Sequence, residues 1–295
     1  MAHHFNIIGQ GMNAIKQSRA MTKQTFFITG ANSGFGLAIA QAALGAGHRV
    51  IGTVRSQTAR ASLLEQLPDV CVVLCDVTEF DRIPAIVAQA EEDHGPVDVL
   101  INNAGYGHEG ILEESPLEEM RHQFDVNVFG AVAVAKAFLP HFRERRRGFI
   151  VNVTSMGGLI TMPGLASYCG SKFALQGISE VMRTEMAPFG VHVTALCPGS
   201  FRTDWAGRSM VRTERSIGDY DTLFEPIRAA RHEKNGRQLG NPAKLAAAVL
   251  QLVASDTPPP QLLLGNDALQ LVRDRLSRLE KEIADWEELT RSTDG

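Results

Sequence analysis

The sequence predicts an α/β protein with a single doubly wound parallel sheet of about seven strands. Short apolar, β-branched runs recur along the chain, and segments of helical length separate them. Runs that are apolar throughout are typical of parallel strands covered on both faces. Strands that alternate with helices and cross over with one hand form a doubly wound, Rossmann-type sheet.

The elements follow one another in a regular order. No repeat or low-complexity tract divides residues 23–295, so we assign them to one dinucleotide-binding catalytic domain. The predicted strands cover residues 25–29, 50–54, 70–75, 97–101, 149–154, 191–196 and 261–264. The predicted helices cover residues 36–46, 56–67, 81–93, 116–146, 167–188 and 242–254. Before Gly148, the run 145–147 of three arginines indicates a helix end, with cations at the negative end of the dipole and the glycine as cap.

Both ends of the chain are distinctive. Residues 1–22 contain Lys16 and Arg19 but no acid, and their apolar patch is too short for a signal peptide. We interpret them as a disordered extension, or as an addition before a true start at Met21, with a transit peptide as the alternative. At the other end, a helix of residues 267–289 carries an apolar seam at intervals of three and four. The seam consists of Leu269, Val272, Leu276, Leu279, Ile283 and Trp286.

Bulk properties exclude several classes of partner. The net charge of −4 gives no electrostatic reason to expect a nucleic acid or an anionic membrane. No apolar run approaches the ~18–20 residues of a membrane span. The cysteines show neither a C-x-x-C spacing nor a nearby histidine pattern, so we expect no metal site. Cys71 and Cys75 lie in an apolar run, and buried thiols suit a cytoplasmic location.

A glycine-rich turn follows the first predicted strand, with the spacing G-x-x-x-G-x-G. Glycines at these positions let the backbone and the start of a helix approach a pyrophosphate, which free N–H groups at the positive helix end then bind. The generic dinucleotide fingerprint has the spacing G-x-G-x-x-G. The different glycine spacing here restricts the number of dinucleotide-binding families to which the chain could belong. The predicted contacts are Gly30, Asn32, Ser33, Gly34, Phe35 and Gly36.

The end of the second strand indicates which nicotinamide cofactor is bound. NAD sites place an acid there to hold the ribose 2′-hydroxyl, whereas a 2′-phosphate needs a cation. The first carboxylate in this chain is Glu65, well beyond the strand, and Arg55 stands at the strand end. A guanidinium binds a phosphate through paired hydrogen bonds. We therefore expect NADP(H) in preference to NAD(H); the alternative for Arg55 is a solvated surface side chain.

Tyr168 and Lys172 are four residues apart, so on a helix both side chains lie on one face. A phenol has a pKa near ~10 in water, and a nearby ammonium lowers it. Ser155 precedes the tyrosine at the end of an apolar run. A tyrosine tuned in this way beside a dinucleotide turn predicts proton transfer coupled to hydride transfer.

With these motifs the chain closely resembles the short-chain dehydrogenase/reductase family in its non-extended form, from about Thr25 to Asp204. The resemblance implies that Tyr168 is the general acid or base and that Ser155 donates a hydrogen bond to the substrate oxygen. Lys172 would lower the pKa of the tyrosine and bind the nicotinamide ribose, and Asn127 would hold a water that relays protons. It also implies cofactor contacts at Asp76, Val77, Asn103, Ala104, Gly105, Pro198, Gly199, Phe201 and Thr203, besides Tyr168 and Lys172.

Single members of this set have structural alternatives. Asn127 could be a polar residue that kinks a helix, and Thr154 could face the pocket in place of Ser155; the spacing to Tyr168 favours Ser155. Cys169 departs from the small alanine or serine that is usual in the family, and a thiol there suggests sensitivity to alkylation.

Several stretches are similar to a branch of bacterial oxidoreductases akin to hydroxysteroid and retinol dehydrogenases, which implies a bulky apolar alcohol, ketone or aldehyde as substrate. We expect an NADP-dependent alcohol dehydrogenase or carbonyl reductase. One alternative is an extended-type epimerase or dehydratase of nucleotide sugars, which usually has G-x-x-G-x-x-G and a longer C-terminal domain. The other is a non-catalytic NADP sensor, which tends to lose the tyrosine, serine or lysine.

Residues 199–240 lack a long periodic pattern, so we interpret part of them as a lid that orders over the substrate. The apolar members that we expect to face the ligand are Phe201, Trp205, Met210, Tyr220, Leu223 and Phe224. The C-terminal seam is too short for a free coiled coil, so we expect it to pack on its own domain or on a partner subunit. Because the tail would alter the surface that tetrameric family members use, the resemblance implies a homodimer or a monomer.

Overall fold

The computed structural model describes residues 23–207 and 209–294. The interpretation of residues 1–22 lies outside this part of the chain. The described residues form nine strands: β1 (Thr25–Ile28), β2 (Arg49–Val54), β3 (Cys71–Leu74), β4 (Val99–Asn102), β5 (Gly107–Glu109), β6 (Gly148–Val153), β7 (Val191–Pro198), β8 (Met210–Arg212) and β9 (Gln261–Leu264).

Seven of these strands form one parallel sheet in the order β3-β2-β1-β4-β6-β7-β9. The predicted single doubly wound sheet is confirmed. The chain builds outward from β1 in one direction and from β4 in the other, so the strand order reverses between them. In open α/β sheets, ligands bind in the crevice at the carboxyl ends of the strands on either side of such a reversal.

Helices cover both faces of the sheet. The helices of the described residues are α1 (Gly34–Gly45), α2 (Gln57–Gln66), α3 (Ile83–His94), α4 (Leu117–Phe124), α5 (Ala131–Arg145), α6 (Ala166–Met186), α7 (Asp221–Glu233), α8 (Pro242–Val253), α9 (Asn266–Asp285) and α10 (Glu287–Arg291).

The two faces of the sheet form two separate hydrophobic cores. On one face, side chains of β1, β2 and β4 pack against α1, α2 and α8, and Phe26 and Ile39 are fully buried there. On the other face, the same strands pack against α3, α5 and α6 around Phe27 and Phe138, whose ring centroids are 5.0 Å apart. Burial on both faces explains why the strands are continuous apolar runs.

The long helix predicted over residues 116–146 is wrong in one respect. It is wound as a π-helix at Asp125–Gly130, between α4 and α5. Single π turns inside helices are frequent at functional sites. Here the turn contains Asn127, which is 1% exposed.

The predicted glycine cap after the three arginines is also wrong. Arg146 itself adopts the left-handed conformation at the end of α5, with φ of 52°. Its side chain donates to the Pro188 carbonyl at 3.0 Å and lies over the Phe189 ring. Gly148 instead begins β6. A Cβ at this position would lie 2.5 Å from the Phe142 ring, which is too close for two non-bonded carbon atoms.

A second, two-stranded parallel sheet pairs β5 with β8, and the sequence reasoning missed both strands. It also missed α7. This 13-residue helix lies within residues 199–240, which were interpreted in part as a lid because they lack a long periodic pattern. Strands of three residues are too short to give a periodic signal, and their pairing joins residues about a hundred positions apart.

The C-terminal helix leaves the body of the protein after its second turn. Ala268 and Val272 are buried against Met156 and Ile160. Beyond them the seam is open: Leu276, Ile283 and Trp286 are 59%, 62% and 64% exposed. The helix is interrupted at Trp286, between α9 and α10. None of the described helices is long and apolar enough to cross a membrane.

Candidate active site

The glycine turn forms the first side of the site. Gly30 and Gly34 have φ of +65° and +56°, which only glycine adopts easily. A Cβ on Gly36 would collide with the Gly30 carbonyl, so this glycine lets α1 approach the turn closely. Ser33 precedes α1 and makes no side-chain cap, which leaves the first N–H groups of the helix directed at a ligand. Backbone of this shape fits an anionic pyrophosphate.

The segment after β4 closes this turn from the other side. The Asn103 amide donates to the carbonyls of Thr29 and Gly30 at 2.9 and 3.1 Å. In return the Thr29 hydroxyl accepts from the backbone N–H groups of Asn103 and Ala104. These bonds hold the ends of β1 and β4 in register across the switch point.

The end of β2 forms the adenosine side of the crevice. Arg55 is exposed there, and Ser56 caps α2 by accepting from the N–H of Ala59 at 3.2 Å. Asp76, half-buried after β3, accepts two hydrogen bonds from Thr78. Burial alone would raise the pKa of Asp76, but the Thr78 bonds and the nearby charges of Arg55 and His122 hold it below its ordinary value. This surface carries the exposed cation of Arg55, with an anionic Asp76 to one side.

The reacting end of the crevice contains Tyr168 and Ser155. Tyr168 lies in the first turn of α6 and is 6% exposed. Ser155 follows β6, where its hydroxyl accepts from the N–H of Gly157 at 3.0 Å. A Cβ on Gly157 would lie 3.2 Å from the tyrosine ring and 3.4 Å from the Ser155 hydroxyl, so this glycine packs against both side chains.

Thr154 has a different environment from Ser155. Its hydroxyl lies 2.9 Å from the Leu196 carbonyl, to which it donates, and it also contacts Gln176 and Cys197. It therefore stabilises the packing of β6 on β7 and α6. Of the two neighbouring hydroxyls, the structure brings that of Ser155 beside Tyr168.

Burial dominates the electrostatics of Tyr168 and Lys172. It raises the pKa of Tyr168, and a hydrogen bond with Ser155 only partly opposes the rise. It lowers the pKa of Lys172 to about 8. The Lys172 ammonium donates to the Val153 carbonyl at 2.9 Å and lies 5.8 Å from the centroid of the tyrosine ring. The expected lowering of the tyrosine pKa by Lys172 is therefore not seen in this arrangement, and the phenol is protonated at neutral pH.

Asn127 is fixed at the back of the site by the π turn. Its side chain accepts from the N–H of Tyr106 and donates to the carbonyl of the same residue, each at 3.1 Å, and it contacts Ser171 at 3.2 Å. A Cβ on Gly105 would lie 2.9 Å from the Asn127 oxygen and 3.6 Å from the Lys172 nitrogen. Three residues that are far apart in sequence thus meet at one point.

The segment after β7 covers the front of the crevice. Thr203 lies against Gly34, since its Cβ is 3.8 Å from the position that a Cβ on the glycine would take. Phe201 and Phe35 pack edge to face at 5.3 Å between ring centroids. Gly199, after Pro198, donates to the Leu264 carbonyl at 2.8 Å, which fixes the start of this segment. The segment after β7 thereby lies against the glycine turn at Gly34 and Phe35.

The apolar residues of the loop divide into two groups. Trp205 packs on Tyr168, with 5.0 Å between ring centroids. Phe224 is 1% exposed and packs under Gly164, whereas Leu223 is 56% exposed. The expectation that all six would face a ligand is therefore wrong for these last two, because α7 directs one inward to the protein core and the other to solvent.

Comparison with known proteins agrees with this geometry. The family model for short chain dehydrogenases matches residues 24–212. The chain belongs to the short-chain dehydrogenase/reductase family.

Several relatives are similar to this chain over most of its length. An oxidoreductase of Botryotinia fuckeliana is 37% identical over 92% of this chain and 98% of its own length. A 3-ketodihydrosphingosine reductase of Bacteroides thetaiotaomicron is 37% identical over 83% of this chain and 89% of its own. A crystal structure of a short-chain dehydrogenase from Streptomyces avermitilis has a TM-score of 0.85 at 37% identity, covering 92% of this chain and all of that one. The protein is thus an oxidoreductase.

Solved family structures hold nicotinamide cofactors of both kinds. An actinorhodin polyketide ketoreductase with NADPH is 29% identical, with a TM-score of 0.70 over 82% of this chain and 95% of that one. A short-chain dehydrogenase/reductase of Burkholderia phymatum in complex with NAD is 26% identical, with a TM-score of 0.75 over 88% of this chain and 95% of that one. A nicotinamide cofactor follows for this family member.

The departure at Cys169 has a structural explanation. The thiol is 4% exposed and packs with Leu165 and Tyr168. Burial raises its pKa, which keeps it protonated. The expected sensitivity to alkylation is therefore not supported, because a buried, protonated thiol is a poor nucleophile.

An ionic network, which sequence reasoning missed, fixes the second half of the substrate loop. The Glu114 carboxylate accepts from Arg215 at 2.8 Å and from the N–H groups of Ser216 and Ile217 at 2.7 Å each. Glu109 is 2% exposed and pairs with both Arg212 and Arg231. No local signal could have revealed these pairs, since their partners lie about a hundred residues apart.

The pKa of Glu114 shows how firmly this contact is held. Burial alone would raise the pKa of Glu114, but its hydrogen bonds hold it at about 2. Because the folded-state pKa is depressed, the contact stabilises the fold at pH above the ordinary carboxyl pKa. This stabilisation declines as the pH falls below the ordinary carboxyl pKa and is lost once the pH has fallen through the folded-state pKa of about 2.

We expect Glu114→Gln to loosen the loop without unfolding the protein. Amide hydrogen exchange at residues 214–220 ought to accelerate roughly ten-fold or more, since charge-assisted hydrogen bonds are about twice as strong as neutral ones. Glu113→Gln is the matched control, because the neighbouring Glu113 accepts a hydrogen bond from the Tyr220 hydroxyl at the surface and none from a loop backbone N–H among the described residues. Equal exchange in the two variants would show that Glu114 does not hold the loop.

Proposed function

We propose that the protein is an NADP-dependent reductase of bulky apolar ketones or aldehydes, and catalyses the reverse oxidation of the corresponding alcohols. The observation that carries the proposal is the meeting of Ser155, Tyr168 and Lys172 at the closed end of the crevice whose mouth is the glycine turn. Burying a phenol and an ammonium together costs free energy, because both groups lose hydration. Stability of the fold alone therefore does not explain their placement.

The residues of the site supply the proton, and the nicotinamide supplies a hydride when bound. Tyr168 is protonated in the free enzyme, which is the form that donates to the oxygen of a carbonyl under reduction. Ser155 stabilises the developing charge on that oxygen. Lys172 retains its proton at neutral pH because its pKa is about 8. The Asn127 side chain is held near Lys172 by its hydrogen bonds to Tyr106. There it would bind a water that relays protons between Lys172 and solvent.

We propose that NADP(H) is preferred over NAD(H). Arg55 stands at the end of β2 with no carboxylate beside it on that strand, and the N-terminus of α2 begins two residues later. A cation and a helix N-terminus together favour a 2′-phosphate. Asp76, with Val77, would then lie beside the adenine, and its lowered pKa keeps it anionic there. The four cysteines are free thiols, which supports a reducing, cytoplasmic location.

We propose that the first part of residues 199–240 moves over the substrate. Glu114 and Glu109 anchor residues 210–233, so closure is confined to the stretch between Gly199 and β8. This stretch carries Thr203 and Trp205, which lie against the glycine turn and the tyrosine. Closure would exclude water from the reacting carbonyl.

Tyr168→Phe tests the acid/base assignment. Removing the hydroxyl ought to reduce turnover by roughly 10²–10⁴, the usual contribution of general acid–base catalysis. Consumption of NADPH with a panel of aromatic and alicyclic ketones measures turnover, and a fluorescence titration measures NADPH binding, which we expect to stay within a few-fold. A variant that keeps more than roughly a tenth of wild-type activity contradicts the assignment.

Arg55→Ala tests the cofactor preference. NADPH binding ought to weaken by about 1.5–3 kcal/mol, the value of a charge-assisted hydrogen bond. NADH is the matched control ligand, because it lacks the 2′-phosphate, and its affinity should hardly change. An equal loss for both cofactors would mean that Arg55 has a structural role, and equal wild-type affinities would refute the preference.

We propose that the chain is a homodimer or a monomer. Within the part of the chain that the structure describes, only the first two turns of α9 pack on their own domain. The rest of the seam projects from Leu276 onward, with 38–64% of each large side chain exposed. Contiguous exposed apolar surface of this kind is typical of protein interfaces. Light scattering of the full chain ought to give one or two protomers. A stable tetramer would show that the tail leaves the usual family interface open.

A further inference from the structure

The indole of Trp205 is placed in the site with an unused hydrogen-bond donor. Its Nε1 atom is buried and has no hydrogen-bond partner among the described residues. Buried tryptophan N–H groups usually find a partner, because leaving one unpaired is unfavourable. The ring packs on Tyr168 at 5.0 Å between centroids, so the unpaired donor lies within one small molecule's length of the reacting phenol.

In this position of the segment, the ring is supported on two sides. A Cβ on Gly107 would lie 2.9 Å from the indole Cε2 and 2.8 Å from the Met210 methyl, so both side chains rest on the bare glycine backbone. Gly107 and Met210 are paired residues of β5 and β8. On the other side, the Trp205 backbone N–H donates to the Thr203 hydroxyl, next to the glycine turn. When the segment is closed over the substrate, this packing gives the donor one place relative to Tyr168, and a donor placed in this way selects among ligands.

We propose that the Trp205 indole N–H is a specificity-determining donor for substrates that carry a second acceptor oxygen close to the reacting carbonyl. The substrate class is then an apolar β-dicarbonyl or β-oxygenated ketone, in which one oxygen receives the Tyr168 proton and the other accepts from Trp205. This rests on the proposed carbonyl reductase function and narrows its substrate. A ketone with a single oxygen leaves the indole N–H unpaired in the closed complex, so it binds less well.

A matched substrate pair tests the inference. Ethyl benzoylacetate and 1-phenylhexan-1-one have the same chain length and shape, but only the first has a second carbonyl. We measure kcat/KM for both with NADPH, in wild type and Trp205→Phe, and compare the ratio of the two substrates. The variant ought to lower the ratio for the keto ester over the ketone by about ten-fold, the effect of one neutral hydrogen bond. Comparing ratios cancels the intrinsic reactivity of the ester and the change of ring shape.

The exposed Trp286 is the matched control position, since it is the other tryptophan of the chain and is 64% exposed. Trp286→Phe ought to keep the wild-type ratio. An unchanged ratio in Trp205→Phe overturns the inference while leaving the reductase function intact. Weaker NADPH binding by Trp205→Phe in the absence of substrate also overturns it, because the donor would then serve the cofactor. Failure of the wild type to turn over any ketone of the panel instead contradicts the proposed function.

A binding measurement covers the case in which neither probe is turned over. In the Trp286→Phe variant, Trp205 is the remaining tryptophan and reports directly on the site. Adding ethyl benzoylacetate to this variant with NADP⁺ ought to shift the indole emission to longer wavelength, because the N–H gains an acceptor. Saturable binding without such a shift, or no saturable binding, overturns the inference.

Discussion

The Asn103 side chain joins the carboxyl ends of β1 and β4 by donating to the carbonyls of Thr29 and Gly30. This contact spans the point where the strand order of the sheet reverses, and the rest of the site is built outward from it. Gly36 lets α1 approach the same carbonyl, which directs the helix N-terminus at the crevice. Gly105, two residues after Asn103, brings Asn127 and Lys172 to the other end. This amide thus ties the glycine turn to the segment after β4, and Gly105 of that segment lies against Asn127 and Lys172.

Burial is the second constraint, and it determines the protonation of the site. Tyr168 and Lys172 are both less than a tenth exposed, and loss of hydration disfavours the charged form of each. From the sequence, the charge of Lys172 is expected to lower the pKa of the phenol. In the folded protein the ammonium is directed at the Val153 carbonyl, so desolvation is the larger effect on the tyrosine. The result is a protonated acid next to a lysine of reduced pKa, which suits proton donation to a carbonyl oxygen.

The arrangement of residues 199–240 depends on contacts between residues that are distant in sequence, and no local sequence pattern specifies it. β5 and β8 pair through only three residues each, and Glu109 and Glu114 supplement this pairing with ion pairs to the arginines of the loop. Charges that are buried and fully paired hold a segment in one arrangement, since a lost partner leaves an uncompensated charge. The loop thereby supports Trp205 against Tyr168, which gives the site an apolar wall with one polar atom.

The sequence by itself determined the fold class, the seven strands of the main sheet and the residue types of the site. Continuous apolar runs, the glycine spacing of the turn and the Tyr168–Lys172 interval are local signals, and local signals survive without knowledge of partners. Only the tertiary structure decided the π turn at Asn127, the left-handed cap at Arg146, the β5–β8 sheet and the raised pKa of Tyr168. Each of these depends on groups distant in sequence, through burial or pairing that no window of the chain contains. The Trp205 indole, whose N–H has no partner among the described residues, belongs with them, because Gly107 and Tyr168 reach it from distant parts of the sequence.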